Sequence, residues 1–494
     1  MTYSIDTLLI DGLRVPSDNG DVLTVVNPAT GEAFATAPSA SRRDTAAAVA
    51  AARRAFEQGP WPRLSPAERG DLLRRLGQAM DRRREELIDL VVKEGGFARA
   101  VADRVHLQSS VDFLADLSGR LLPALAFRTP LNPHAGISMT GRPQTTQGMV
   151  VREPVGVASL ITPFNAALPL TVHKLGWALA AGCTTVVKPS PETPLQVLFL
   201  ADLIEEAGFP AGVVNIITGD LAASVEMTTN PGVDIVSFTG SDAVGRKIMA
   251  QAAPTLKKVV LELGGKSANI VFADADLDRA ALEVMGNIVS NAGQGCLLLT
   301  RTLVEESVHD ELVGKVISLL KTVTVGDPAD PATVMGPLIS AGARDRVEKM
   351  IRQGVAEGAT LAYGGGRPAG LERGFFLEPT LFTDVDNSMS IARTEFFGPV
   401  NTVIRFRDDT EAVRIANDSD FGLNAGIFTQ DFERAYAVAA QIRSGMVNIN
   451  ASWGINPDAP FGGYKQSGIG REGGAYGIAE FLEEKFVSWP VGRL

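Results

Sequence analysis

The feature that most restricts how this chain can fold is a repeated change of period. From residue 155 on, short β-branched runs are each followed by a longer segment with helical spacing: VGVASLI, HKLGWALAAG, TTVVKPS, LQVLFLADLIEEAG, VVNIITG. That strand-helix-strand rhythm predicts a mostly parallel sheet, because parallel neighbours need crossovers of this length. It continues through DIVSF, VGRKIMAQAA and KKVVLEL, and resumes in RTLVEES, VHDELVGKVISLLKTV and the EAVRIANDSD region. Two α/β units in tandem follow, meeting near LELGGKS, residues 261–267. One stretch breaks the rhythm: FRTPLNPHAGISMTGRPQTTQGMVVREP is rich in Pro, Gly and Thr and predicts extended strands leaving the first unit as an arm.

Size and charge narrow the function. A chain of 494 residues exceeds one ordinary core, and 45% apolar residues supply two. The net charge of −11, with Lys and Arg scattered among acids, offers no footprint for nucleic acid. The start, MTYSIDTLLIDGLRV, lacks a basic segment followed by an apolar run, and no window reaches membrane-spanning length, so a cytoplasmic protein without a membrane partner is expected. Cys183 and Cys296 cannot form a disulfide framework and stay available as thiols. His106, His134, His173 and His309 are dispersed, so no metal site is expected.

Four local patterns carry candidate chemistry. In SFTGSDAVGRKI a strand ends in a Gly-Ser turn before a helix; Gly240, Ser241 and Gly245 suit either a pyrophosphate resting on helix amides or a capped structural turn. Lys188 closes a strand in VVKPSPETP, either as a cation at the ligand end of the sheet or as a solvated side chain. Cys183, in ALAAGCTTVV, fits a packing role. Cys296 in SNAGQGCLLL differs, since the glycines before it allow a ligand close to the backbone and an amide donor near a bound oxygen. Glu262 is a carboxylate inside an apolar strand; burial is expensive there and would raise its pKa into the range of a general base.

Taken together, ITPFNAALP, VVKPSPETP, FTGSDAVG, LELGGKS, GQGC, EFFGPV, NDSDFGL and PFGGYKQSGIGRE resemble, in order and over nearly the whole chain, the NAD(P)-dependent aldehyde dehydrogenase superfamily. The resemblance implies two tandem doubly wound parallel-sheet domains: a dinucleotide-binding domain at 1–127 and 153–261, a catalytic domain at 262–465, and an oligomerisation arm at 128–152 and 480–494 that makes a homodimer or tetramer. It implies Cys296 as the nucleophile, the Asn165 side chain and the Cys296 amide as oxyanion donors, and Glu262 as the base that activates water. NAD is the implied cofactor, with NADP the alternative because Pro191 stands where many NAD-preferring relatives carry Glu. Lys188 would meet its ribose, Gly240, Ser241 and Gly245 its pyrophosphate, Glu395 its nicotinamide ribose and Phe397 the nicotinamide, bordered by Thr162, Pro163 and Phe164. Lys174 and Glu472 match a pair that relays a proton in the family, and a surface ion pair is the plainer reading.

The substrate pocket implied by the same resemblance is formed by Ala166, Leu170, His173, Gly295, Leu297, Trp453, Ile455 and Phe461. Phe164 and Ala166 stand where many relatives have Trp and an aromatic residue, so that wall is roomier and favours an uncharged medium to large aldehyde. His173 either offers one hydrogen bond or is satisfied within its own helix. Arg104 or Arg120 reaching inward would instead favour a semialdehyde. A CoA-acylating enzyme and a non-enzymatic structural relative are the remaining alternatives, and both tend to lack groups that this chain keeps.

Overall fold

The computed structural model describes residues 3–454 and 456–491, the side chains of residues 3 and 4 excepted. Its first sheet has eight strands in the spatial order Gly468–Ile469, Lys258–Glu262, Ile235–Thr239, Val157–Ile161, Thr184–Lys188, Val214–Ile216, Leu8–Ile10 and Leu13–Val15. The five central strands are parallel, with antiparallel pairing confined to the edges. From Val157–Ile161 the chain steps outward to Thr184–Lys188 and Val214–Ile216, then returns to the other side through Ile235–Thr239 and Lys258–Glu262. The strand order therefore reverses beside Val157–Ile161, and a crevice opens where such sheets bind ligands, outside the carboxyl ends of their strands. Thr162 to Ala166 leave one of those ends, and Gly240 and Ser241 the other.

The helix Ala167–Ala181 is the floor of that crevice. Every one of its residues is buried except Leu170 and His173. A helix apolar on all sides can only be enclosed. Two further helices of this domain start on full capping boxes: Ser41 with Asp44 before Arg42–Glu57, and Ser65 with Glu68 before Pro66–Arg82. Among the described residues no helix is long and apolar enough to cross a membrane.

The second sheet has seven strands, in the order Thr360–Tyr363, Thr380–Thr383, Val400–Phe406, Arg301–Glu305, Ala268–Val271, Ala425–Phe428 and Asn448–Ile449. All but the first pair are parallel. The chain passes from one sheet to the other between Glu262 and Ala268 and comes back at Gly468–Ile469 to pair with Lys258–Glu262. Glu262 is thus the last residue of its strand, opposite Thr239. A third, antiparallel sheet places Pro143–Pro154 between Arg128–Ile137 and the C-terminal strand Leu482–Val491.

The start of the central strand is tied to the layer that covers it by one carboxylate. Asp234 Oδ2 accepts from the Val157 amide at 2.7 Å and from Arg53 Nη2 at 2.5 Å, joining the sheet to helix Arg42–Glu57. Asp234→Ala leaves the Val157 N–H without its acceptor and the Arg53 guanidinium with only the Gly232 carbonyl and the more distant Glu57. The expected cost is about 1–3 kcal/mol, read as a lower urea midpoint by tryptophan fluorescence. An unchanged midpoint would show that water replaces the carboxylate.

Candidate active site

Cys296 sits just beyond a sharp turn. Helix Leu277–Val289 gives way to three successive left-handed residues, Asn291, Ala292 and Gly293, at φ 51°, 50° and 71°. Asn and Gly tolerate this region; Ala does so at a cost of roughly 1–2 kcal/mol and needs its surroundings to hold it. The hold comes from side-chain amides. Asn291 Nδ2 donates to the Asn165 carbonyl at 3.0 Å and to the Gln294 carbonyl at 2.9 Å. Gln294 Nε2 donates back to the Asn291 carbonyl at 3.1 Å, while its Oε1 accepts from the Ile339 amide at 3.0 Å. Gly293 packs so tightly on the loop after Glu395 that a Cβ there would fall 1.9 Å from the Gly398 oxygen.

The same turn brings in Asn165. Its Nδ2 donates to the Gln294 carbonyl at 3.1 Å, two residues before the cysteine. An amide has two N–H groups, so one anchors Asn165 to the cysteine loop and the other remains for a ligand.

Glu262 is 2% exposed, and neither of its carboxyl oxygens has a hydrogen-bond partner. Burial, reinforced by Glu472, holds it well above the usual carboxylate range, against the pull of Lys174 and Arg471. The backbone opposite is Gly462, at φ 153°; a Cβ there would come within 2.7 Å of Glu262 Oε1, so both conformation and contact call for glycine. Lys174 and Glu472 do pair, but not on the surface. Lys174 is fully buried, and its ammonium donates to Glu472 Oε1 and, at 2.9 Å, to Ser237 Oγ. The surface reading fails because helix Ala167–Ala181 is enclosed. A buried pair of this kind is costly to break, at about 3–5 kcal/mol for loss of one partner.

The groups expected at the cofactor lie along the crevice. Lys188 ends its strand 3% exposed, not solvated, with Nζ on the Pro189 carbonyl at 3.2 Å; burial pushes it down to about 8, against Glu192 and Asp220. Ser241 caps helix Asp242–Ala252, accepting from the Val244 amide at 3.4 Å. Gly245, on that helix, lets it lie against Leu263, and Gly240 N donates to the Glu262 carbonyl at 3.0 Å. Glu395 Oε1 accepts from the Gly265 amide at 3.0 Å; the residue keeps an exposed edge, yet packing around the carboxyl pushes it up to about 7. Phe397, at φ 50°, meets Phe164 edge-on with ring centres 5.7 Å apart. Thr162, buried behind them, pairs hydroxyls with Thr171 at 2.9 Å, and Pro163 is half-buried beside it.

On the pocket side, Ala166 accepts from the Leu170 amide at the start of the floor helix. Leu170 and His173, its two residues that escape burial, are both expected pocket residues. No hydrogen bond within its helix holds His173; its ring lies 4.3 Å from Phe113 and 5.6 Å from Trp177 one turn on, and although the residue keeps an exposed edge, packing around the ring pushes it down to about 4, so it is neutral. Phe113 comes from a helix interrupted by π-helical segments at Ala102–Gln108 and Leu117–Leu121. Gly295 lies against Leu298, and Leu297 is tied to the opposite loop, since Asn424 Nδ2 donates to the Leu297 carbonyl at 2.9 Å and the Ser452 carbonyl at 3.0 Å. Trp453 follows Ser452 and is 48% exposed, so it is not packed into a closed wall. Phe461 exchanges backbone bonds with Glu472 at 2.6 and 2.7 Å, and Ile455 lies outside the described residues. Arg120 is taken by Asp116 and Asp458, and Arg104 is exposed. Among the described residues no group of three or more His, Cys, Asp or Glu converges as for a metal.

Asn291, Gln294, Asn424, Gly462 and Phe113 shape the site without having been singled out in sequence. Asn291 alone had a local signal, as an Asn in a glycine-rich turn after a helix. The assembly offers a thiol, a free amide donor and a buried carboxyl, suited to covalent attack on a carbonyl followed by water.

The sequence model of the Aldehyde dehydrogenase family matches residues 15–487. The NAD-dependent aldehyde dehydrogenase of Sinorhizobium meliloti is 39% identical, covering 100% of this chain and 96% of its own, with a TM-score of 0.94. The Mycobacterium tuberculosis aldehyde dehydrogenase complexed with NAD+ is 41% identical, covering 100% of each chain, also at 0.94. A betaine aldehyde dehydrogenase of Staphylococcus aureus in complex with NAD+ is 36% identical over 99% of this chain and 96% of its own, at 0.94.

One property of the site can be checked directly. Burial, then Glu395 and Glu262, push the Cys296 thiol up to about 12, although the residue is partly exposed. At neutral pH the free chain therefore carries the thiol, and its thiolate fraction grows through the ordinary cysteine range without levelling. Iodoacetamide alkylation of Cys296, followed by peptide mass spectrometry, is expected to accelerate steadily from about pH 7 to about pH 10. A plateau near pH 8 would contradict this environment.

Proposed function

The chain belongs to the aldehyde dehydrogenase family, and from that premise we propose that it oxidises an aldehyde to the carboxylic acid with NAD through a thioester on Cys296. The observation that carries this reading is Glu262: a carboxyl fully buried with both oxygens unpartnered, in the field of the same thiol. As packing it is a liability; as a base for water, a carboxyl held above its usual range has gained proton affinity.

The residues present fit a dinucleotide. Lys188 is a buried ammonium with only a carbonyl for company, Ser241 opens a helix whose amides face the crevice mouth, and the Glu395 carboxyl stands by the Phe164 and Phe397 rings. When bound there, NAD accepts a hydride and its positive ring favours the thiolate. The chain does the rest. The S–H proton of Cys296 passes to Glu262 and onward, and Sγ then bonds to the aldehyde carbon while the carbonyl π pair becomes an oxyanion, met by the second N–H of Asn165 and the Cys296 amide. The C–H bond breaks as hydride leaves, the carbonyl reforms, and a thioester remains. Water then attacks that carbon, Glu262 takes its proton, and the C–S bond breaks to return Cys296. Lys174 and Glu472 carry the proton onward from Glu262, which needs them buried, as they are. The balance is aldehyde, NAD+ and water in; acid, NADH and a proton out.

The lining supports an uncharged, medium to large substrate, aromatic or long aliphatic. Ala166, Leu170, Leu297 and Phe461 are apolar or small, His173 is neutral, and the Arg120 guanidinium is already neutralised by Asp116 and Asp458. A carboxylate would find no free cation there and would cost several kcal/mol to bury. The arm supports a dimer or a tetramer of dimers. Phe486, Trp489 and Val491 are 65%, 40% and 51% exposed along Leu482–Val491, whose outer edge is unpaired among the described residues.

Cys296→Ala is expected to abolish turnover while NAD still binds, whereas Glu262→Gln should give a burst of NADH of about one per site followed by very slow turnover. Stopped-flow absorbance separates the two, and a steady wild-type rate in either variant removes that residue from its role. A panel of benzaldehyde, hexanal, acetaldehyde, betaine aldehyde and succinic semialdehyde, each with NAD and NADP, tests the lining. Each buried methylene contributes about 0.8 kcal/mol, so hexanal should exceed acetaldehyde in kcat/KM by more than about a hundredfold; semialdehyde ranking first would refute the apolar pocket. Light scattering at micromolar concentration should report a dimer or tetramer mass, and a monomer would refute the arm's role.

A further inference from the structure

The crossing that holds Glu262 also borders a second cavity, which the proposed reaction does not use. Lys266, Ser267, Arg301, Asn424, Arg443 and Ser444 are among its lining residues, and the space admits one small occupant. Three of the lining residues are cationic, Lys266 and Arg301 buried and Arg443 exposed, and none is acidic. Lys266 and Arg301 are each 1% exposed. Four hydrogen-bond donors on lining residues are buried without a partner: Lys266 Nζ, Arg301 Nε, Ser267 Oγ and Ser444 Oγ. The Lys266 ammonium has only the Phe396 ring, 4.5 Å from its centre, for compensation. The carboxylates that influence these cations lie outside the lining and are engaged elsewhere, Glu395 by the Gly265 amide and Asp418 by Arg393 and Asn387. Burial, then Arg301, pushes Lys266 down to about 7, and two buried cationic groups with free donors and no acid in the lining are an unbalanced arrangement.

We propose that this cavity binds a small monovalent anion of the halide class, held between Lys266 and Arg301, with the Ser267 and Ser444 hydroxyls completing its donor shell. Size and donor geometry favour a halide over phosphate or a carboxylate. Arg301 spends both Nη atoms on Asn387 Oδ1 and the Ile415 and Ala416 carbonyls, so it has no free fork for a bidentate oxyanion. The site reaches the catalytic groups through two contacts. Lys266 stacks on Phe396, next to Glu395, and its neighbour Gly265 lies so close to the cysteine loop that a Cβ would fall 2.5 Å from the Cys296 carbonyl oxygen. A bound anion keeps Lys266 charged beside that carboxylate and stiffens the crossing. This site stands independently of the proposed reaction.

The test uses the full-length protein. Crystals soaked in bromide are expected to show an anomalous peak inside the cavity between Lys266 and Arg301; bromide confined to the surface, with the cavity holding only water, overturns the proposal. In solution at fixed ionic strength, Tm should rise with chloride or bromide concentration and not with gluconate. An identical dependence on all three salts also overturns it. Lys266→Met should weaken the halide response at least about tenfold, and Ser444→Val should weaken it less. A full response in both variants places the ion elsewhere. Should Lys266→Met fail to fold, the bromide peak in the wild-type crystal and the Ser444→Val response decide.

Discussion

A short length of extended backbone between Glu262 and Ala268 carries the chain from one sheet to the other, and the candidate chemistry depends on how closely other groups approach it. Glu262 is held at its start as the last residue of a strand. Gly264 lies against the Glu395 carboxyl, where a Cβ would fall 2.4 Å from Oε2, and the Gly265 amide donates to the same group. Gly265 also abuts the cysteine loop. One stretch of chain thus sets the spacing of Glu262, the Glu395 carboxyl and the Cys296 loop. Any side chain on those two glycines would push the three apart, and displacements of about 1 Å are enough to cost large factors in rate.

Around the crossing, charge is buried at a density that packing alone would not retain. Glu262, Lys174, Glu472, Lys188 and Lys266 are each 4% exposed or less. Lys174 and Glu472 are made tolerable by pairing and Lys188 by a carbonyl and two distant acids, while burial and Glu472 hold Glu262 well above the usual carboxylate range. The enclosing scaffold is what allows this. Helix Ala167–Ala181 is packed on all sides, so it presents Leu170 and His173 to the pocket and Lys174 to the interior from one rigid element. Rigid placement of costly groups is the usual physical basis of preorganisation.

Much of this could be read along the chain, because the signals were local. Alternating periods point to parallel sheets with crossover helices, the arm breaks that pattern, and glycines cluster where backbone meets ligand or backbone. The Cys296 turn, the Ser241 cap and the strand-end Lys188 each lie in a few consecutive residues whose spacing reflects their geometry. Where sequence reading failed, the missing information was non-local. Lys174 and Glu472 look like a surface pair until the enclosure of their helix is known, since 298 residues separate them. His173 has an expected hydrogen bond inside its own helix; that helix supplies only the Trp177 ring, and the nearer ring, Phe113, comes from a different helix.

What the sequence determined by itself was the fold class, the alternation of its elements and the chemical types of the candidate groups, because these follow from periodicity, turn chemistry and motif spacing within short windows. Only the tertiary structure decided which groups are dehydrated and which atoms they face. It shows Asn165 spending one N–H on Gln294, Asn291 bracing the turn, Arg120 neutralised by Asp116 and Asp458, and Lys266 and Arg301 left beside a cavity with no counter-charge. Desolvation and hydrogen-bond partnership depend on every element packed around an atom, and residues far apart in the chain supply most of those neighbours.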